Sequence, residues 1–261
     1  MRISRLHVAL AGLLTTAALS AQTGEPTVKE VLDRYYEAIG GTETIAAVDS
    51  LLVTAHRIEA RRAGPHGDVP FELAFRRPSS VRLDIHIDDA TGTQSYDGET
   101  GWLVWPFTGI VGPAEMEAEA LVQFLGENQM ISPLVDYEAR GHSVALVGRA
   151  VVDDVPTFHL EVTLASGDVQ NLYLDAKSFL PVQRTTQMET FGLNMGINDR
   201  YSDYRETAGL MLARSTQTTV EAGDRTQTVE TRIDTVEVNP ELPRDHFSMP
   251  PNDPESATDG S

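Results

Sequence analysis

The chain has 261 residues, with 39 acidic against 20 basic side chains, no cysteine and a formal net charge of -19. Lack of cysteine excludes a disulfide framework, a zinc-thiolate site, an iron–sulfur cluster and a thiol nucleophile, and the acidity argues against nucleic-acid binding, which needs clustered Lys and Arg. A hydrophobic share of 41% is that of a globular protein, and the length suits one sizeable domain or two small ones.

Residues 1–21 open with Arg2 and Arg5, continue through an apolar run from Leu6 to Leu19, and end on the small residues Ala18, Ser20 and Ala21. That order predicts a cleaved signal peptide, with the mature chain beginning at Gln22, and an exported, periplasmic protein. A bacterial lipid anchor needs an N-terminal cysteine, so none is expected. Thr27 and Glu30 then have the spacing of a capping box. Val28, Val31, Leu32, Tyr35 and Ile39 follow at helical spacing, and Gly40-Gly41 ends the helix. A shorter helix is predicted around Thr44 to Val48.

From Leu51 the period changes to two. Phe71, Leu73 and Phe75 alternate with polar neighbours or Ala74; so do Val81, Leu83, Ile85 and Ile87, and again Phe158, Leu160, Val162 and Leu164. This pattern predicts antiparallel strands with one apolar face inward and Arg82, Asp84 and His86 outward. Asp97-Gly98, Ser166-Gly167-Asp168 and Ala222-Gly223-Asp224 read as turns, and Asp153-Asp154 as a hairpin turn. Val229 and Ile233 lie on one face of the last strand, Val236 and Val238 on the other, which predicts a bulge near Thr235. The long interruption is Pro106 to Pro133, where Ala114, Ala118, Leu121, Val122 and Leu125 predict a helix over Ala114 to Gln129. The expected organisation is a signal peptide at 1–21, one domain at 22–250 and a disordered acidic tail at 251–261.

Catalytic motifs are missing: there is no Gly-x-Ser-x-Gly elbow, phosphate-binding loop, His-Glu-x-x-His or EF-hand loop. Asp84, His86 and Asp88 share one strand face as metal ligands would, but an outward, solvated face explains them better, and neither metal nor cofactor is expected. His159 and Glu161 are read the same way. The expectation is a protein that is not an enzyme. Large apolar residues in connections are more informative, because connections often carry function. Trp102, Trp105 and Phe107 precede the interrupting helix, Met116, Leu121, Phe124 and Leu125 lie in or beside it, and Phe191 and Met195 belong to a second stretch read as irregular. These nine are the candidate cavity residues. The groove is expected between the inner sheet face and the Ala114–Gln129 helix, with that helix as either a lid or fixed core.

A run of segments carries a resemblance. Ser132-Pro133-Leu134-Val135-Asp136-Tyr137 leads into Gly141-His142-Ser143-Val144-Ala145-Leu146-Val147-Gly148. Similar segments are Tyr35 to Gly41, Tyr96 to Trp102, Leu172 to Asp175 with Phe179 to Val182, and Val236 to Pro240. In order and spacing the chain resembles exported proteins of the LolA-like superfamily of outer-membrane lipoprotein-sorting proteins; Ser132 stands where that pattern has Gly. The resemblance implies a mainly β (α+β) fold: a strongly curved antiparallel sheet, a half-barrel covered by a few helices, with an apolar cavity between. It also implies a carrier or binder whose partner is a lipid or the acyl chain of a lipoprotein, with membrane-associated proteins as further partners. No ligand-binding residue of the family is carried over. A chain of a dozen methylenes buried there would contribute roughly 10 kcal/mol before the costs of association. The alternative is a periplasmic sensor or interaction module that binds a protein segment in the same groove.

Overall fold

The computed structural model describes residues 24–59, 67–190 and 193–252. The signal-peptide expectation, the candidate Phe191 and nearly all of the tail lie outside them.

Thirteen strands form one open antiparallel sheet in the order β6-β5-β4-β3-β2-β1-β13-β12-β11-β10-β9-β8-β7. Strand β1 (Ser50–Ile58) lies in the middle. Strands β2 (Asp68–Arg76), β3 (Ser80–Ile87), β4 (Ala90–Tyr96), β5 (Gly101–Trp105) and β6 (Ile110–Glu115) run outward from it to one edge. The chain then crosses to the opposite edge and returns through β7 (Ser143–Val152), β8 (Val155–Thr163), β9 (Val169–Asp175), β10 (Pro181–Thr190), β11 (Leu193–Thr207), β12 (Leu210–Ala222) and β13 (Arg225–Val238). Strand β13 pairs with β1, and the register slips between Thr54 and Ala55, opposite Thr235 and Ile233, where the sequence phase change placed the bulge. Asp153 and Asp154 both have positive φ in the β7–β8 turn, a geometry that Asp tolerates better than most side chains.

Strand order explains where the helices lie. Strands β6 and β7 are consecutive in the chain yet sit on opposite edges, so residues 116–142 must cross a face of the sheet. They cross the apolar one. Val81, Leu83 and Ile85 are buried beneath this cover, as the alternation predicted, together with Phe71, Phe75, Leu51 and Val53. Helix α2 (Thr42–Ala46) adds Ile45 to this core and helix α3 (Ala118–Glu127) adds Phe124. A second core forms where α1 (Val28–Ala38) presents Val31, Leu32 and Tyr35 to Phe158, Leu160, Val162, Leu172 and Leu174. The capping box is present: Thr27 Oγ1 accepts from the Glu30 N–H, and Glu30 accepts from the Thr27 N–H. The crossing segment joins the cores, since Leu134, at 0% exposure, belongs to the second and Val135 to the first.

Three sequence expectations are corrected. The helix expected over Ala114–Gln129 begins only at Ala118, because Ile110–Glu115 pairs with β5 as a strand. The β-branched Ile110-Val111 pair and the Gly112-Pro113 step favour extended backbone over helix. On either side of residues 191–192, Met188 and Met195 stand opposite each other in the antiparallel ladder of β10 and β11. Finally, the outward face of β2–β5 is covered rather than open. Residues 240–249 fold back over it: Phe247 is buried, and its carbonyl accepts from Trp102 Nε1 (2.8 Å) and Ser95 Oγ (2.9 Å). Arg82 donates to the His246 carbonyl (2.9 Å) and to Asp84, and Arg76 donates to the Leu242 and Pro243 carbonyls (both 2.9 Å). Asp84 accepts from Thr93 as well (2.6 Å), so this carboxylate is held within a polar seam under the segment.

Candidate functional site

Between the two cores the cover is incomplete, and a cavity of about 240 Å³ remains. Tyr35, Ile39 and Leu172 wall it on the side of α1, and Ile45, Val48 and Leu51 on the side of α2 and β1. Gln129 to Pro133, just past the end of α3, form its roof, and Tyr204, Leu210 and Leu212 are among the sheet residues beneath. Two side chains beside the cavity bind the crossing segment. Tyr36 Oη donates to the Leu134 carbonyl (2.6 Å). Arg77 donates to the Val48 (2.6 Å) and Ile45 (3.1 Å) carbonyls and lies 3.6 Å from Asp136. A second, more polar recess of about 300 Å³ lies on the far side of Ile45 and Val135, lined also by Tyr36, Asp136 and Glu138.

One end of the apolar cavity is charged. Arg184 on β10 donates through Nε (2.9 Å) and Nη2 (2.6 Å) to Asp199 Oδ2 on β11, and through Nη1 to Gln129 Oε1 (3.2 Å). The other Asp199 oxygen accepts from Thr218 Oγ1 (2.7 Å). The two side chains are 16% and 5% exposed, so the pair is largely removed from water. Burial opposes the charge on Arg184, but Tyr201 and Asp199 outweigh it and raise its pKa. Burial pushes the Tyr201 hydroxyl up to about 12, with Arg184 pulling the other way, and it also raises Tyr35 and Tyr204. All three therefore stay neutral at ordinary pH. Tyr204 Oη donates to the Pro181 carbonyl (2.7 Å). The site has apolar walls and an internally neutralised polar end; it can enclose an alkyl chain and meet a polar atom at one place.

The candidates named from sequence lie elsewhere. Phe124 is 3% exposed and sealed in the first core, with Leu121, Leu125, Met116 and Trp105 packed beside it. Trp105 and Phe107 meet edge to face at 5.2 Å and lie over Gly92, where a Cβ would stand 2.5 Å from Phe107 and 2.8 Å from Trp105. Trp102 is on the opposite face, 2% exposed under the C-terminal segment. Met195 lies on β11, paired with Met188 of β10. None of these eight described residues lines the cavity. Among the lining residues that sequence reasoning missed, Arg184 and Tyr201 carry the polar end, with Asp199 behind them. A signal existed: Ile197, Asp199 and Tyr201 alternate on one face of β11, and a charge between two large apolar residues marks a buried polar group.

No family model and no curated protein matches the sequence. Solved structures do match. A DUF1329 family protein from Desulfovibrio piger superposes with a TM-score of 0.57 at 12% identity, over 85% of this chain and 97% of that one. A LolA superfamily protein from Nitrosomonas europaea gives 0.55 at 12% identity, over 85% and 98%. A Vibrio parahaemolyticus domain named for outer membrane lipoprotein sorting gives 0.55 at 11% identity, over 84% and 95%. These agreements span nearly the whole length of each relative, and they establish that the chain has the LolA-like fold.

Proposed function

We propose that the protein is an exported carrier or binder that holds a lipid, or the acyl chain of a lipoprotein, without transforming it. The observation that carries this reading is the cavity between the two cores, apolar on most sides and roofed by a connector rather than by regular structure. Water gains little in such a space, and an alkyl chain would replace it favourably. The likeness in fold to a domain named for lipoprotein sorting supports the same reading. The order of charge, apolar run and small residues in 1–21 supports export. Mass spectrometry of organic extracts from the purified protein tests ligand binding: a co-purifying acyl lipid is expected. Ala213→Trp, which places a large ring at the cavity lining, should abolish its recovery while the fold remains. Protein that carries no lipid and binds no acyl probe after delipidation would overturn the reading. The intact mass of the exported chain should start at or near Gln22.

A further inference from the structure

We infer that the cavity takes a single-chain, uncharged amphiphile, such as an acyl chain esterified to a polyol, and rejects the free carboxylate of the same chain. This inference deepens the lipid-binding reading above and rests on it.

The reason lies at the charged end of the cavity. Arg184 lines the space, and an arginine there would ordinarily attract a fatty-acid head group. Here its charge is already matched by Asp199, which stands outside the lining and donates nothing. All three guanidinium nitrogens are engaged, two with Asp199 and one with Gln129. Arg77, the other cation of the lining, is also matched: it faces Asp136 at 3.6 Å and donates to the Val48 and Ile45 carbonyls. At Arg184 an incoming carboxylate has two options. It could take Arg184 from Asp199, leaving a buried aspartate with the Thr218 hydroxyl as its one remaining side-chain donor among the described residues. Alternatively it could remain beside a neutral pair as an extra buried negative charge. Either outcome leaves an uncompensated charge away from water. An ester or hydroxyl oxygen meets neither penalty; it needs hydrogen bonds alone, and the Gln129 amide nitrogen and the protonated Tyr201 hydroxyl, both in the cavity lining, can supply them. Size points the same way. At about 240 Å³ the cavity falls below the range of roughly 300 to 1,000 Å³ common for drug-sized ligands, so it has room for one chain and not for several.

Calorimetric titration of the delipidated full chain with 1-monolauroylglycerol and with laurate tests this, both below their micelle concentrations and at about pH 8, where laurate is ionised. The glyceryl ester is expected to bind at least about tenfold more tightly. In Asp199→Asn the pair loses its negative member, and the preference should shift toward laurate by at least about tenfold. If that variant does not fold, Gln129→Lys, at the half-exposed roof, adds a positive charge beside the pair and should shift the preference in the same direction. Laurate binding as tightly as the ester to the wild-type chain, or a folded variant keeping the wild-type preference, would overturn the selectivity and leave lipid binding standing. Failure of both probes to bind would overturn the lipid-binding reading itself.

Discussion

Single residues in this protein are explained by what lies directly against them. Gly92 is an example, since two aromatic rings occupy the place where a side chain would be. Gly92→Val should cost about 1–3 kcal/mol by forcing Trp105 and Phe107 off the strand, measurable by urea unfolding. Gly40 is equally constrained: its φ is +123°, and a Cβ there would stand 2.2 Å from the Gly209 carbonyl oxygen, where the end of α1 meets the β11–β12 turn. His142 is constrained by its tautomer. Nδ1 accepts the Ala165 N–H (3.0 Å), so the ring proton sits on Nε2, which is buried without a partner among the described residues. Burial, and then Arg140, hold its pKa below the usual value. The unfolded chain therefore takes up this proton more readily than the folded one, and the stability His142 contributes is present above its unfolded pKa of about 6.5 and is lost as pH falls through the lower, folded value. Relative to wild type, His142→Gln should lose less melting temperature between about pH 8 and about pH 5. An equal loss in the two proteins would remove His142 from the account.

At the scale of elements, helix α3 tests the difference between a lid and a core helix. Its sequence periodicity showed one apolar face and could not show whether that face stays buried. In the structure Phe124 is sealed in the first core, and Leu121 lies where a Cβ on Gly101 would approach it to 2.6 Å. Those contacts are the ones a fixed helix would make, and the cavity begins only beyond its C-terminal end. Phe124→Asp should therefore bury an unpaired carboxylate, cost several kcal/mol and lower the melting temperature of the ligand-free protein sharply. An unchanged melting temperature would return α3 to the role of a lid. The connector after it is the more telling element. Leu134 fills one core, Val135 the other, and the Tyr36 hydroxyl holds the Leu134 carbonyl between them. Leu134→Ala should cost about 2–5 kcal/mol, and because it loosens the seam between the cores it should also weaken lipid binding in calorimetry.

Across the whole molecule, the net charge of -19 is self-repulsive, so the melting temperature should rise as salt increases from about 0.02 M to about 0.5 M; no rise would mean that local ion pairs already offset it. No helix among the described residues is long and apolar enough to cross a membrane. Strand alternation, the capping box, the hairpin turns and the bulge at Thr235 were all legible in the sequence, because each depends on residues a few positions apart or on a period of two. So was the fold, through the order of its motifs. The cavity was not. Its polar end joins Gln129, Arg184, Asp199 and Thr218, which come from the connector and from three different strands. The aromatic and Met residues chosen instead were large and apolar, and local pattern shows that such residues are buried without showing in which layer. Trp102 and Phe124 lie on opposite faces of one sheet for that reason. Sequence by itself determined the strands that alternate strictly, such as β2, β3 and β8, their inward faces and the fold they build. Only the tertiary structure decided which core each residue entered and where the gap between the cores was left, because strand order sets the path across the sheet and contacts between residues distant in the chain set what that path covers.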